Sequence, residues 1–398
     1  MSGPDLIDSS IPLPPDLEGP MPTPAHEPAA DKPVVVSRHG AGNEGYLALV
    51  WRRFRRSVVG MIGLVLVVAM LVISIFGDFF APVDPNAQNL SFAPPDVVSF
   101  QDSKGSFSLL PNIYPIVELA GKFDPVTFQP LTGPDTDHPT PWGLFVHGYH
   151  YYLLWFIPAD IHLFGSTNGK PIDLLGTDKL GRDILSRGII GSRISLTIAL
   201  VVVLLTTTIG TLVGITSGYL GGRVDAWVQR FVEFVLAFPQ LPLYLALTTL
   251  IPITAPSNLF LSFVIFILAV LGWAQLSREV RSKTLALARI DYVRAAIAVG
   301  SGDFRIITRH ILPNVLSHII VSITLAVPSV VLLEAFLGFL GFAVKPPLIS
   351  WGLMLQDCAN FSVLGSYPWI LSPVIFVLIT VFAFNALGDG LRDAIDPY

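Results

Sequence analysis

Five stretches of this sequence contain no Lys, Arg, Asp or Glu: Val58–Gly77, Ile194–Gly222, Phe234–Ser277, His310–Leu333 and Cys358–Gly388. A helix rising 1.5 Å per residue crosses the hydrocarbon core of a bilayer in about 20 apolar residues. Each run is long enough to do so. Only 13% of the 398 residues are charged and 52% are hydrophobic, whereas a soluble domain carries about a quarter charged residues. The chain therefore reads as a polytopic helical membrane protein. Its single cysteine, Cys358, excludes an internal disulfide framework and a multi-cysteine metal site.

Phe234–Ser277 is too long for one helix, and Pro252, Pro256 and Ser257-Asn258 supply a turn near its middle. Pro239 and Pro242 fall inside the first half, where a membrane helix tolerates a kink if neighbours satisfy the freed carbonyls. In the last run, Cys358–Pro368 reads as a loop ahead of the span. Six spans result, near 58–80, 194–218, 229–251, 258–277, 314–338 and 369–388.

Arg52, Arg53, Arg55 and Arg56 abut the first span and place the N-terminus in the cytoplasm. With that orientation both termini are cytoplasmic, and 16 of the 24 Lys and Arg side chains lie inside. Residues 1–45, rich in Pro, Ala and acids, read as a disordered cytoplasmic tail and lack the pattern of a secretory signal. Residues 46–80 hold the first span, 81–190 an extracytoplasmic segment, and 191–398 the core transmembrane domain. Within 81–175, Trp142, Tyr149, Tyr151, Tyr152, Trp155 and Phe156 offer enough aromatic surface for a small packed unit or an interfacial belt.

The cytoplasmic loop 278–313 carries Leu285, Ala288, Tyr292, Ala295, Ala296 and Val299 at helical spacing, with Arg281, Arg289 and Arg294 on other faces. Gly300 stops that helix, Ser301 is placed to cap a second short helix through Phe304–Ile307, and Pro313 opens the next span. Composition alone leaves open whether such a basic amphipathic loop simply lies on anionic headgroups.

Arg294-Ala295-Ala296-x-x-x-Gly300, followed after nine residues by His310-Ile311-Leu312-Pro313, resembles the "EAA" loop of ABC-importer permeases. Arg294 stands where that family often has Glu, and His310 where its ending has Ile. Gly176-Thr177-Asp178-Lys179-Leu180-Gly181-Arg182-Asp183, with Ser186-Arg187 and Gly191-Ser192-Arg193 after it, is similar to the segment before the second span of dipeptide and oligopeptide permeases. Pro346-Pro347-x-x-Ser350-Trp351-Gly352 and Phe384–Asp393 resemble the same group, and Ile157–Gly165 is similar to an insertion in some oligopeptide members.

On these motifs the chain is identified as a C-type permease of the dipeptide/oligopeptide/nickel group. The resemblance implies the type I ABC-importer permease fold, all-α with six transmembrane helices and an extracytoplasmic insertion between the first two. It implies a cell-membrane subunit whose loop, through Arg294, Ala295, Ala296, Gly300, Asp303, Leu312 and Pro313, couples to ATPases. Its implied partners are a second permease, two cytoplasmic ATPases that bind ATP and Mg, and an extracytoplasmic substrate-binding protein. The chain itself would be no enzyme and would bind no cofactor and no nucleic acid. Peptide is the expected cargo, with nickel or another small solute as the alternative.

Other features carry less. Gly165–Lys170 has the flavour of a phosphate loop, but its glycine spacing is one short and Pro171 replaces the Ser or Thr that holds magnesium. His147, His150 and His162 lack acidic or cysteine partners in register for a metal site. Asn89-Leu90-Ser91 and Asn360-Phe361-Ser362 match a glycosylation pattern that arises often by chance. Glu233 and Glu334 lie near span ends; each is either a functional intramembrane charge or a group that reaches the interface or an Arg, such as Arg230 for Glu233. Asp389 and Arg392 most simply form an ion pair past the last span. No repeated filter segment favours a channel, and no acid pair or double-His helix at membrane depth favours an intramembrane enzyme.

Overall fold

The described residues of the computed structural model are 46–101, 107–123, 130–154, 156–252 and 254–395. The expected tail 1–45 and Trp155 lie outside them. Helix α1 (Tyr46–Phe54) leads into α2 (Val58–Ile75), whose first turn is capped by the Ser57 hydroxyl accepting from the Gly60 N–H. A single turn, α3 (Gly77–Phe80), comes next. Then come α4 (Ile184–Leu220), α5 (Gly222–Ala237), α6 (Gln240–Thr248) and α7 (Ser257–Leu287). After the short α8 (Asp291–Ala298), the helix α9 runs from Asp303 to Phe339. Short α10 (Trp351–Leu355) and α11 (Phe361–Ser366) precede α12 (Pro373–Ile395).

Five of these helices are long and apolar enough to cross a bilayer, and the number is six when the pair α5–α6 counts as one span. That pair, covering the expected span 229–251, is bent by 79°. Pro239 sits at the break and begins α6 with no N–H to offer, so the chain turns sharply where a kink was expected. The second span is longer than its uncharged run. Helix α4 has 37 residues, about 55 Å at 1.5 Å per residue, against a hydrocarbon core of about 30 Å.

Helix α4 packs most extensively along α7, and a stripe of small residues explains how closely. Gly210, Gly214 and Gly218 recur every fourth position, on one face. A Cβ there would sit 2.9 Å from the Trp273 carbonyl oxygen, 2.6 Å from that of Ser277 and 2.9 Å from that of Arg281. In a bilayer, where burial of apolar surface does little to hold helices together, such backbone approach is a main source of packing energy. A second core joins α2, α4, α9 and α12 around Val67, Leu196, Val331, Trp351 and Phe384.

Between α3 and α4 the chain forms strands rather than helices. Antiparallel hairpins pair β1 (Val97–Gln101) with β2 (Phe107–Tyr114), β3 (Ile116–Phe123) with β4 (Pro130–Pro134), and β5 (Trp142–Leu153) with β6 (Ile157–Ser166). In the longest, Trp142 stands opposite Ser166 and Leu153 opposite Ile157. Its His162 is fully buried, with Nδ1 2.7 Å from the Asp78 carbonyl oxygen and Nε2 3.1 Å from that of Tyr149. This seats the hairpin on the end of the first span. His147 instead pairs with Asp160 at 3.0 Å, so the three histidines do not converge.

The glycine stripe makes a prediction. Gly214→Val should force α4 and α7 apart and cost about 1–3 kcal/mol, the usual range for overpacking, read as a lowered unfolding temperature of the purified protein in detergent. Gly365→Ala, at a helical position in α11 where nothing lies within 4 Å of an added Cβ, controls for loss of glycine alone.

Candidate functional site

The loop between α7 and α9 is a compact corner with one apolar anchor. Asp291 in the first turn of α8 suits the helix dipole. The far end closes in a Schellman arrangement: the Gly300 N–H donates to the Ile297 carbonyl at 2.9 Å and the Ser301 N–H to that of Ala296 at 3.0 Å. Gly300 has φ +83°, a left-handed conformation that suits glycine. Ser301 thus completes α8 and does not cap α9. Gly302 occupies the N-cap of α9, with no side-chain cap.

No separate second short helix exists. Asp303 starts a continuous helix that extends to Phe339, well before the expected start at Pro313. Pro313 would break an ordinary α-helix there, because its ring meets the carbonyl four residues back and it donates no hydrogen bond. The helix absorbs this with a π turn over Ile307–Ile311, in which the Leu312 N–H donates to the Ile307 carbonyl. The Asn314 amide donates to the His310 carbonyl at 2.6 Å.

Val293 of α8 is wholly buried in a cluster with Ile215, Val280, Ile306, Ile311 and Val315. The Tyr219 hydroxyl at the end of α4 donates to Asp303 at 2.8 Å, and Arg281 of α7 makes a two-pronged pair with Asp225 of α5, both contacts 2.5 Å. On the opposite side α8 presents Arg294, Ala295 and Ile297 to the exterior, with Ala296 half-buried. Val299 is 88% exposed and Phe304 81%. Two large apolar side chains that bare beside a rigid helix mark a contact surface.

The motif before α4 forms a clasp. Gly176 and Gly181 both take positive φ, +77° and +73°. The Thr177 hydroxyl donates to the Leu90 carbonyl at 2.6 Å and accepts from the Ala93 N–H at 2.7 Å. Asp178 accepts from the N–H groups of Leu180 and Arg182 and pairs with the Arg182 guanidinium at 2.6 Å. Asp183 caps α4, accepting from the Leu185 and Ser186 N–H groups. Further along α4, Arg193 caps the end of α2 through the Ser74 carbonyl and pairs with Asp78 at 2.7 Å. These residues tie the strand insertion and the first span to the second.

Glu233 and Glu334 part company. Glu233 is exposed beside Arg230 at 3.4 Å. Glu334 neither reaches an interface nor meets an Arg. It is fully buried, its Oε2 accepting from the Ser195 hydroxyl at 3.0 Å. Its Oε1 finds no partner among the described residues. A residue far away in sequence supplies this contact, so no local pattern announces it. Asp389 and Arg392 do not pair: Arg392 lines a cleft with Glu279 and Lys283. Asn360 caps α11 with its side-chain oxygen.

One further acid was missed by sequence reading. Asp173 is buried beside Asp96 and Asp183. Asp96 accepts from the Asp173 N–H at 2.8 Å and from the Ile116 N–H at 3.0 Å. Burial first, then the charges of Asp183 and Asp96, push the Asp173 carboxyl up to about 8, and burial pushes Asp183 up to about 6.

A family model described as binding-protein-dependent transport system inner membrane component matches residues 210–398, and one described as the N-terminal TM domain of oligopeptide transport permease C matches residues 45–95. The oligopeptide transport system permease protein OppC of Salmonella typhimurium is 45% identical over 223 residues, 56% of this chain and 71% of that protein. Its namesake in Haemophilus influenzae is 37% identical over 278 residues, 68% and 79% of the two chains. The dipeptide transport system permease protein DppC of Bacillus subtilis is 35% identical over 222 residues, 56% and 68%.

The Asp173 cluster predicts a pH response. A carboxyl raised from an ordinary value near 3.8 to about 8 stabilises the folded clasp while protonated. That contribution is complete below about pH 4 and is lost as pH rises through about 8. Exchange protection of the Asp173 and Ile116 amides, corrected for intrinsic rate, should therefore fall between about pH 5 and 9, and Asp173→Asn should flatten the dependence.

Proposed function

This chain belongs to the family of binding-protein-dependent transport system inner membrane components, and from that premise we propose that it is the C-type membrane subunit of an ATP-driven peptide importer. The observation that carries the coupling role is the exposed face of α8 with Val299 and Phe304, backed by Val293 in the cluster beneath. A partner that pushes on α8 pushes on α9, because no flexible joint but the Gly300–Gly302 turn separates them and side-chain contacts bridge that turn. Peptide as cargo is supported by the relatives, which are named as oligopeptide and dipeptide permeases.

In this reading the arginines at Arg52–Arg56 set the N-terminus in the cytoplasm, so α8 faces the cytoplasm and the strand insertion faces outward. A second permease closes the path, two ATPases dock on the α8 surfaces of the pair, and a binding protein delivers the peptide from outside. ATP and Mg reside on the ATPases. Closure of the ATPases favours one of two transporter states by differential contact with α8, and the long lever of α9 carries the difference to the membrane.

Replacing Ala295 or Ala296 by Asp tests this. Each variant should reach the membrane yet lower peptide uptake about tenfold or more, since an unpaired carboxylate forced into an interface costs several kcal/mol. Stimulation of ATP hydrolysis by loaded binding protein should fall with it. Undiminished uptake in both variants contradicts the docking role.

A further inference from the structure

Within the membrane-spanning part, α4, α6, α7 and α9 enclose a cleft of about 680 Å³, a size that suits a small ligand. Its walls carry neutral hydrogen-bonding groups, among them Thr206, Gln240, Gln275 and Ser329, and a single formal charge, the carboxylate of Glu279. Glu279 also lines the two clefts that open toward the loop end of the helices, one beside Arg281 and Lys283, the other beside Asn314 and Arg392. Glu279 is the lining residue common to all three clefts, so it stands where they meet.

The local geometry leaves Glu279 available. The Gln275 amide donates to its Oε1 at 3.2 Å, which orients the side chain from one turn away on α7. On the facing α9, His318 Nε2 stands 3.6 Å from Oε2, outside hydrogen-bond range. A carboxylate held by one neutral donor, with a second oxygen open to a polar cleft, is placed to accept from an incoming cation. Arg and Lys side chains line both outward clefts but not the inner one, so the attraction for a cation is strongest on the inner side.

We propose that Glu279, oriented by Gln275 and faced by His318, is a station on the transport path that receives the ammonium terminus of the peptide. The inference rests on the transport reading above and adds the substrate group and its protein partner. An ammonium there replaces the long contact to His318 with charge-assisted hydrogen bonds, while the neutral wall groups serve the peptide backbone whatever its side chains. Such a site recognises what all linear peptides share.

The test uses the whole complex, with its second permease, ATPases and binding protein, in proteoliposomes. Two peptides of one length carry a diazirine residue at the amino or the carboxyl end and are illuminated during ATP turnover. The amino-end probe should label the 275–283 segment of α7 and the carboxyl-end probe should not. Glu279→Gln should abolish that labelling and lower uptake about tenfold, the scale of one lost charge-assisted hydrogen bond, while binding-protein-stimulated ATP hydrolysis persists and Glu279→Asp restores uptake. Equal labelling by both probes, or uptake by the Gln variant equal to wild type, overturns the proposal. The labelling of the wild-type complex decides the matter even if the Gln variant fails to assemble. A wild-type complex with neither peptide-stimulated hydrolysis nor uptake would instead refute the transport reading itself.

Discussion

Val293 is a small side chain with a large structural consequence. By burying it against Val280, Ile306, Ile311 and Val315, the chain welds the short helix α8 to the root of α9 and to the end of α7. Without that contact, α8 would be a peptide of eight residues, far below the length at which a helix persists alone in water. The weld converts a loop into a solid corner. The other apolar groups, Val299 and Phe304, remain exposed on the surface where the proposed ATPase would dock.

A comparable logic governs the opposite end of the molecule. The segment 176–193 is held by capping, turn and ion-pair contacts, several of which join parts of the chain remote in sequence. Asp183 caps α4, Arg193 caps α2, and Thr177 stitches in the stretch of chain beyond the first span. Between these two rigid ends lies the α4–α7 seam, whose glycines let backbones meet. Helices so tied move as bodies, which a transport cycle between discrete states requires.

Much of this was legible in the residues alone. Uncharged runs marked the spans because a bilayer penalises charge, and Pro239 marked the weak point of the third. Gly300 ended its helix as expected, since few other residues accept φ +83° there. What was not legible has two causes: local backbone arrangements at Ser301 and Pro313 that the residue types do not announce, and a contact distant in sequence at Glu334. Ser301 looks like a cap, yet its N–H already serves Ala296. Pro313 looks like a helix start, yet a π turn lets the helix run through it. For Glu334 the residues left an intramembrane charge and an interfacial group both open, and Ser195, 139 positions away, holds the carboxyl inside. The strands of the insertion show little alternation because both faces of β5 stay partly exposed, so period-two patterning never develops. The glycine stripe was visible but acquires meaning only once α7 is known to lie against it.

The central claim is that α8 and α9 move as one body. Spin labels at the exposed positions Val299 and Leu316, with a third at Val58 at the start of α2, measure it directly. Distances in the assembled complex are compared between nucleotide-free and ATP-bound states. The account predicts an unchanged 299–316 distance and a changed 299–58 distance. A 299–316 distance that shifts with nucleotide, while 299–58 stays constant, would show that the corner bends and would contradict the account.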